Sequence, residues 1–257
     1  MKSAGAAWSD LTKLAEAGVL LTFVVAAAGI AAFAALADEV GEGGAFSVDR
    51  AVLLGFRLSG HPDMAAGPRW VKEAARDVTA LGGFTVLALV AILAVAMLLI
   101  HRRRLQALVL ASTVVLAQGL SELLKAWIDR PRPTLVSHLD LVYSSSFPSG
   151  HAMMTPVVYL TLAGILAAGQ RRRSEKRLLL GAAVLLTVAV GVSRVYLGVH
   201  WPTDVLGGWI LGGAMALMAI LILHRAAPRR RSGIEVTPNP PSASPSPGTP
   251  DWDRSLL

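Results

Sequence analysis

Apolar residues in this chain do not alternate with polar ones at amphipathic spacing; they run in long uncharged stretches separated by short, strongly charged joints. The stretches cover 18–37, 78–100, 105–121, 152–169, 178–193 and 205–223. About 20 apolar residues in a helix cross about 30 Å of hydrocarbon, so the pattern predicts six transmembrane helices. The third and fifth runs are short unless their helices continue through 122–125 and 194–198. That puts Lys125 and Arg194 at or just inside the interface. Ionisable groups at such depth either snorkel to the headgroups or face a polar cavity. For Lys125 both readings stand; Arg194, six residues before a histidine, is assigned to function.

The sequence is 54% hydrophobic and only 16% charged, which excludes an ordinary soluble domain and gives the fold class: all-α, a polytopic membrane helical bundle. Gly207, Gly208, Gly212, Gly213 and Ala214 in the last run permit close helix approach. The predicted layout is a cytoplasmic N-terminus over 1–17, a six-span domain over 18–224 and a disordered Pro-rich tail over 225–257 that carries no motif. The outer loop at 38–77 holds two segments, 48–57 and 70–77, that read as short amphipathic interfacial helices; it is either a structural cap or a lid that admits a lipid. Ala35-Leu36-Ala37 superficially resembles a signal-peptidase site, but the apolar run before it is long for a signal core, so an uncleaved first span is the reading adopted.

The net charge of +7 changes the picture only through its placement. Arg102, Arg103 and Arg104, the cluster at 171–177, and Arg225 with the arginines at 229–231 all lie at joints on one predicted side, which marks that side as cytoplasmic. Both termini then face inward, and the loops 38–77, 126–150 and 195–204 face outward. Such cations meet anionic lipid headgroups, and no nucleic-acid partner is implied. The chain lacks cysteine, so disulfides and thiolate metal sites are excluded.

Three patches carry the chemistry, and all fall on the predicted outer face. Pro148-Ser149-Gly150-His151 opens the fourth span, where Ser149 is a good N-cap and the free amides of the first turn form an anion site. Lys125 ends the third span, and the prolines after it force an extended segment that can turn Arg132 back toward the same pocket. Arg130 reads as an interfacial cation for lipid headgroups. In the third patch, Ser193-Arg194 precedes His200, and Asp204 lies one helical turn beyond that histidine; a carboxylate there can fix the imidazole tautomer and leave the other nitrogen as nucleophile or base. Helix capping is the alternative role for Asp204.

Lys, six residues, Arg-Pro; then Pro-Ser-Gly-His; then Ser-Arg, five residues, His, three residues, Asp: this series resembles the complete three-part motif of the type 2 phosphatidic acid phosphatase family, over residues 125–204. The resemblance implies a metal-independent lipid phosphatase without a cofactor, acting on a lipid phosphate such as an isoprenyl (undecaprenyl) diphosphate, phosphatidylglycerol phosphate, phosphatidic acid or a phosphorylated lipid A. It also implies that His200 attacks phosphorus, Asp204 supports it and His151 protonates the departing oxygen. Lys125, Arg132, Arg194, Ser149 and the Gly150 amide would hold the phosphoryl oxygens, with Ser193 adding a neighbouring hydrogen bond. Vanadium-dependent haloperoxidases share these motifs, and halide oxidation supported by vanadate is the observation that would favour them. A noncatalytic lipid-binding scaffold is the other competing class; the intact His151, His200 and Asp204 argue against it.

Overall fold

The computed structural model describes residues 3–42, 47–140 and 144–226, with side chains from residue 18 onward. The Pro-rich tail and the arginines at 229–231 lie outside the described residues. Five helices are long and apolar enough to cross a membrane: α1 (Ser3–Gly41, through its Gly18–Gly41 part), α5 (Arg104–Ile128), α6 (Gly150–Gly169), α7 (Arg173–Tyr196) and α8 (Pro202–Ala226). α5 and α7 do extend through Lys125 and Arg194, as their short apolar runs require.

The run at 78–100 is not one straight helix. α3 (Arg69–Ala80) and α4 (Phe84–Ile100) meet at a 42° bend, and together they supply the sixth candidate span. Gly82 sits in the break against α6 and α7, where a Cβ would collide with Val190 Cγ1 and come within 3.0 Å of Thr155 Oγ1 and 3.4 Å of the His151 ring. The sequence pattern registers the apolar run but not this local need for a bare backbone.

The two amphipathic segments expected within 38–77 are α2 (Ser47–Gly55) and α3; between them lies an unexpected antiparallel hairpin of β1 (Arg57–Leu58) and β2 (His61–Ala65). This region is pinned to the end of α7 and to the segment between α5 and α6. Arg57 donates to the Tyr196 carbonyl at 2.9 Å, the Tyr196 hydroxyl to the Ala66 carbonyl at 3.0 Å, and Arg76 to the Leu139 carbonyl at 2.8 Å.

α6 is the central helix. Met153, Val157, Val158, Ala163 and Ile165 are buried against α5, α7 and α8, while α1 packs on α8 and stacks Phe33 on Phe147 at 5.6 Å between centroids. The outside is as apolar as the inside: Leu89, Ile92, Leu93, Val115, Leu116 and Leu185 are exposed. That is the surface hydrocarbon demands, with backbone polar groups satisfied inside each helix.

Candidate active site

Each motif patch sits where a helix begins or ends at one end of the bundle. Ser149 is the N-cap of α6 and is fully buried, its hydroxyl accepting from the Ala152 amide at 3.5 Å. Its own amide donates to the Asp204 carbonyl at 3.1 Å, which ties the second patch to the third. α5 stops at Asp129 in a left-handed conformation, and the extended Arg-Pro-Arg-Pro segment leaves from there.

His200 lies in the short turn between α7 and α8 and is 2% exposed. Its Nδ1 faces Asp204 Oδ2 at 3.4 Å and its Nε2 faces Arg132 Nη1 at 3.3 Å. With Nδ1 as the protonated nitrogen, the Nε2 lone pair points toward the cations, the arrangement a phosphorus nucleophile needs. Burial drives the His200 pKa down to about 4, against the opposing pull of Asp204. The ring is therefore neutral and nucleophilic at pH 7.

Asp204 combines both roles considered for it. Oδ2 caps its helix by accepting from the Trp201 amide at 2.8 Å, accepts from the Ser146 hydroxyl and faces His200; Oδ1 accepts from Arg130 at 2.5 Å. Arg130 is accordingly not a headgroup cation. It is 5% exposed, its second nitrogen donates to Asp49 at 2.9 Å, and its guanidinium lies 5.6 Å from the centre of the Trp201 ring.

The expected phosphate ligands gather with one exception. Arg132 is fixed by the Val199 carbonyl at 2.6 Å and the Ser144 carbonyl at 2.7 Å; burial first, then the neighbouring Arg194, lowers its pKa to about 10, so it remains a cation. Arg194 donates from Nη1 to Thr79 and to Asp140, at 3.1 and 2.8 Å, while its buried Nε has no hydrogen-bond partner among the described residues. Lys125 pairs with Glu122 at 3.1 Å, and its Nζ stands over Gly150, 3.3 Å from where a Cβ would be. Lys125 and Arg132 line one cavity of about 550 Å³; Lys125, Gly150 and His151 line a second, of about 190 Å³, whose other walls include Phe84, Leu87, Val114 and Met154. Ser193 does not join them: its hydroxyl donates to the Val190 carbonyl one turn back at 2.6 Å.

Asp49, Arg130, Ser146 and Asp140 were missed by the motif reading. Two signals were available. In an extended Arg-Pro-Arg-Pro segment residues two apart face the same side, so Arg130 should accompany Arg132 inward, and Asp49 lies four residues before the buried Leu53, a carboxylate on the apolar face of a helix.

The arrangement sets cations beside a buried imidazole, the chemistry an anion site needs. The model of the PAP2 superfamily matches residues 106–228. Phosphatidylglycerophosphatase B of Bacillus subtilis is 36% identical over 146 residues, 56% of this chain and 70% of that protein. Decaprenylphosphoryl-5-phosphoribose phosphatase of Mycobacterium tuberculosis is 31% identical over 136 residues, 52% of this chain and 67% of the other. The crystal structure of a transmembrane PAP2-type phosphatidylglycerolphosphate phosphatase from Bacillus subtilis superposes with a TM-score of 0.62 at 28% identity, covering 83% of this chain and 98% of that one. With a matching family model, a relative matched over most of its length and a shared helical architecture, this chain belongs to the PAP2 superfamily.

Proposed function

We propose that the chain hydrolyses a lipid phosphate or diphosphate at the outer leaflet of the cell membrane through a phosphohistidine on His200. The observation that carries this is the His200 ring, held by Asp204 on one nitrogen and presented to Arg132 on the other. His200 Nε2 forms a bond to phosphorus as the bond to the leaving oxygen breaks, and His151 gives that oxygen a proton. His151 then takes a proton from water, whose oxygen attacks phosphorus and releases phosphate and free His200. Phosphoryl transfer asks chiefly for in-line placement and charge stabilisation, which Lys125, Arg132 and Arg194 supply at the α6 N-terminus.

A lipid substrate is supported by the smaller cavity, where His151 and Lys125 meet an apolar wall of Phe84, Leu87 and Val114. An isoprenyl diphosphate is the first reading, and the decaprenyl chain in the mycobacterial relative's name supports its isoprenyl part. The Bacillus subtilis relatives favour phosphatidylglycerol phosphate as the second. Phosphate release by the purified protein in excess chelator, over a panel of isoprenyl diphosphate, phosphatidylglycerol phosphate, phosphatidic acid and lipid A, tests both. Release from one of the first two in preference is expected; no release from any of the four defeats the reading.

The pH dependence follows from His200. Its folded pKa is depressed below that of free imidazole, so the neutral ring, and the stability of burying it neutral, are fully present above about 6.5 and are lost as pH falls toward about 4. The acid limb of kcat/KM, which reports the free enzyme, is expected well below pH 6.5. A limb at 6.5 contradicts the buried neutral nucleophile.

Outward placement of the site rests on the cationic joints at 102–104 and 171–177. In this cysteine-free chain, Ser59→Cys in the outer hairpin should react with an impermeant thiol reagent on intact cells, and Ser174→Cys should not. The opposite pattern, with membranes verified intact, places the site on the cytoplasmic leaflet.

A further inference from the structure

Arg130 bridges two fully buried carboxylates that come from opposite ends of the sequence. Its Nη1 donates to Asp204 Oδ1 at 2.5 Å and to Thr203 Oγ1 at 2.8 Å; its Nη2 donates to Asp49 Oδ2 at 2.9 Å. Asp49 in turn accepts from the Thr203 amide at 2.9 Å and the Thr203 hydroxyl at 2.7 Å. α2, an element of the outer loop, is thus fastened to the first turn of α8 immediately beside the carboxylate that orients His200.

The charge count matters more than the fastening. One guanidinium against Asp204 alone makes a neutral pair, and a neutral pair does little for an imidazole that must take on positive charge when it bonds to phosphorus. A guanidinium shared with Asp49 leaves the cluster one negative charge in excess. In a buried setting that charge acts on His200 with little screening. We propose that Asp49 and Arg130 are positioning residues that keep Asp204 both oriented and electrostatically available to His200, so that the outer-loop helix tunes the nucleophile. The inference rests on the phosphohistidine reading of His200 given above.

The groups facing His200 from the packed elements are Asp204 on α8, Arg132 on the extended segment, Arg194 on α7 and His151 on α6. Asp49 acts on this set only through Arg130 and Asp204. Asp49→Asn removes the second carboxylate at nearly constant shape, leaving Asp204 as the carboxylate that Arg130 pairs with. The expected result is a fall in kcat of about tenfold or more with KM within about threefold, and an acid limb of kcat/KM displaced to lower pH because His200 has lost negative charge nearby.

Arg130→Gln leaves two buried carboxylates facing each other and is expected to be close to inactive. Adding Asp49→Asn to it relieves that, so the double variant should exceed Arg130→Gln in kcat by about tenfold. A loss confined to folded yield or thermal stability, with kcat per folded molecule and the acid limb at wild-type values, overturns the proposal, as does a double variant no better than Arg130→Gln. His200→Ala, run in parallel, separates the two levels of inference. If it turns over like the wild type, the nucleophile assignment has failed; if it is dead while Asp49→Asn is normal, the positioning role alone has failed.

Discussion

His200→Ala is expected to abolish turnover and phosphoenzyme together, by about four or more orders of magnitude in kcat. The imidazole is the only group among the described residues that combines a neutral buried nitrogen, a carboxylate behind it and a guanidinium in front. His151→Ala should behave differently. Its ring sits at the start of α6 beside Lys125 and Gly150, on the cavity wall and clear of the Asp204 cluster, so its loss leaves the first bond to phosphorus possible while slowing leaving-group departure and hydrolysis by about a hundredfold or more. Rapid quench with a lipid labelled in its phosphate should then trap label on His151→Ala protein and none on His200→Ala protein. Equal label on wild type and His200→Ala removes His200 from the nucleophilic role. Label on neither variant, with label on the wild type, makes both histidines necessary for the first step.

The apolar runs and the three patches were legible because each is local. A span is a count of uncharged residues; Ser149 as a cap and Pro202 in the first turn of α8 are one-turn signals. Where helices begin and end then follows, and with it the meeting of Lys125, Ser149, His151, Arg194 and His200. Much of what the spacing did not reveal is decided by a partner far along the chain. Arg130 looks like any cation in an interfacial loop until Asp49, 81 residues earlier, is brought to it. The hydroxyl of Ser193 matches a motif position, yet nothing in the spacing says that it turns back to Val190. The bend at Gly82 is invisible to hydropathy because glycine keeps the run uncharged, while the close approach the glycine permits, to Val190, Thr155 and His151, lies across the bundle.

The glycines of the last span divide in the same way, and the division makes the second large prediction. Composition marks Gly207, Gly208, Gly212 and Gly213 alike as permitting close approach, but they do not face alike. A Cβ on Gly208 would lie 2.8 Å from the Ser149 carbonyl oxygen, 2.9 Å from the Met153 amide nitrogen and 2.9 Å from the Ala152 Cβ, whereas one on Gly213 meets no atom of the described residues within 4 Å. The obstacles at Gly208 are mainly backbone in the first turn of α6, which cannot rotate away as a side chain could. Forcing a methyl in must therefore part α6 from α8 where the Ser149 amide binds the Asp204 carbonyl. Overpacking of this kind costs about 1–3 kcal/mol. Gly208→Ala should accordingly lower the unfolding temperature in detergent and reduce kcat far more than a distant stability loss would, because the α6 N-terminus that receives phosphate moves relative to His200. Gly213→Ala adds a methyl facing open space on the same helix and should leave both quantities near wild type. Two alanine variants with the same melting temperature and the same kcat would mean that α6 and α8 do not meet at Gly208, and the phosphate site would have to be assembled some other way.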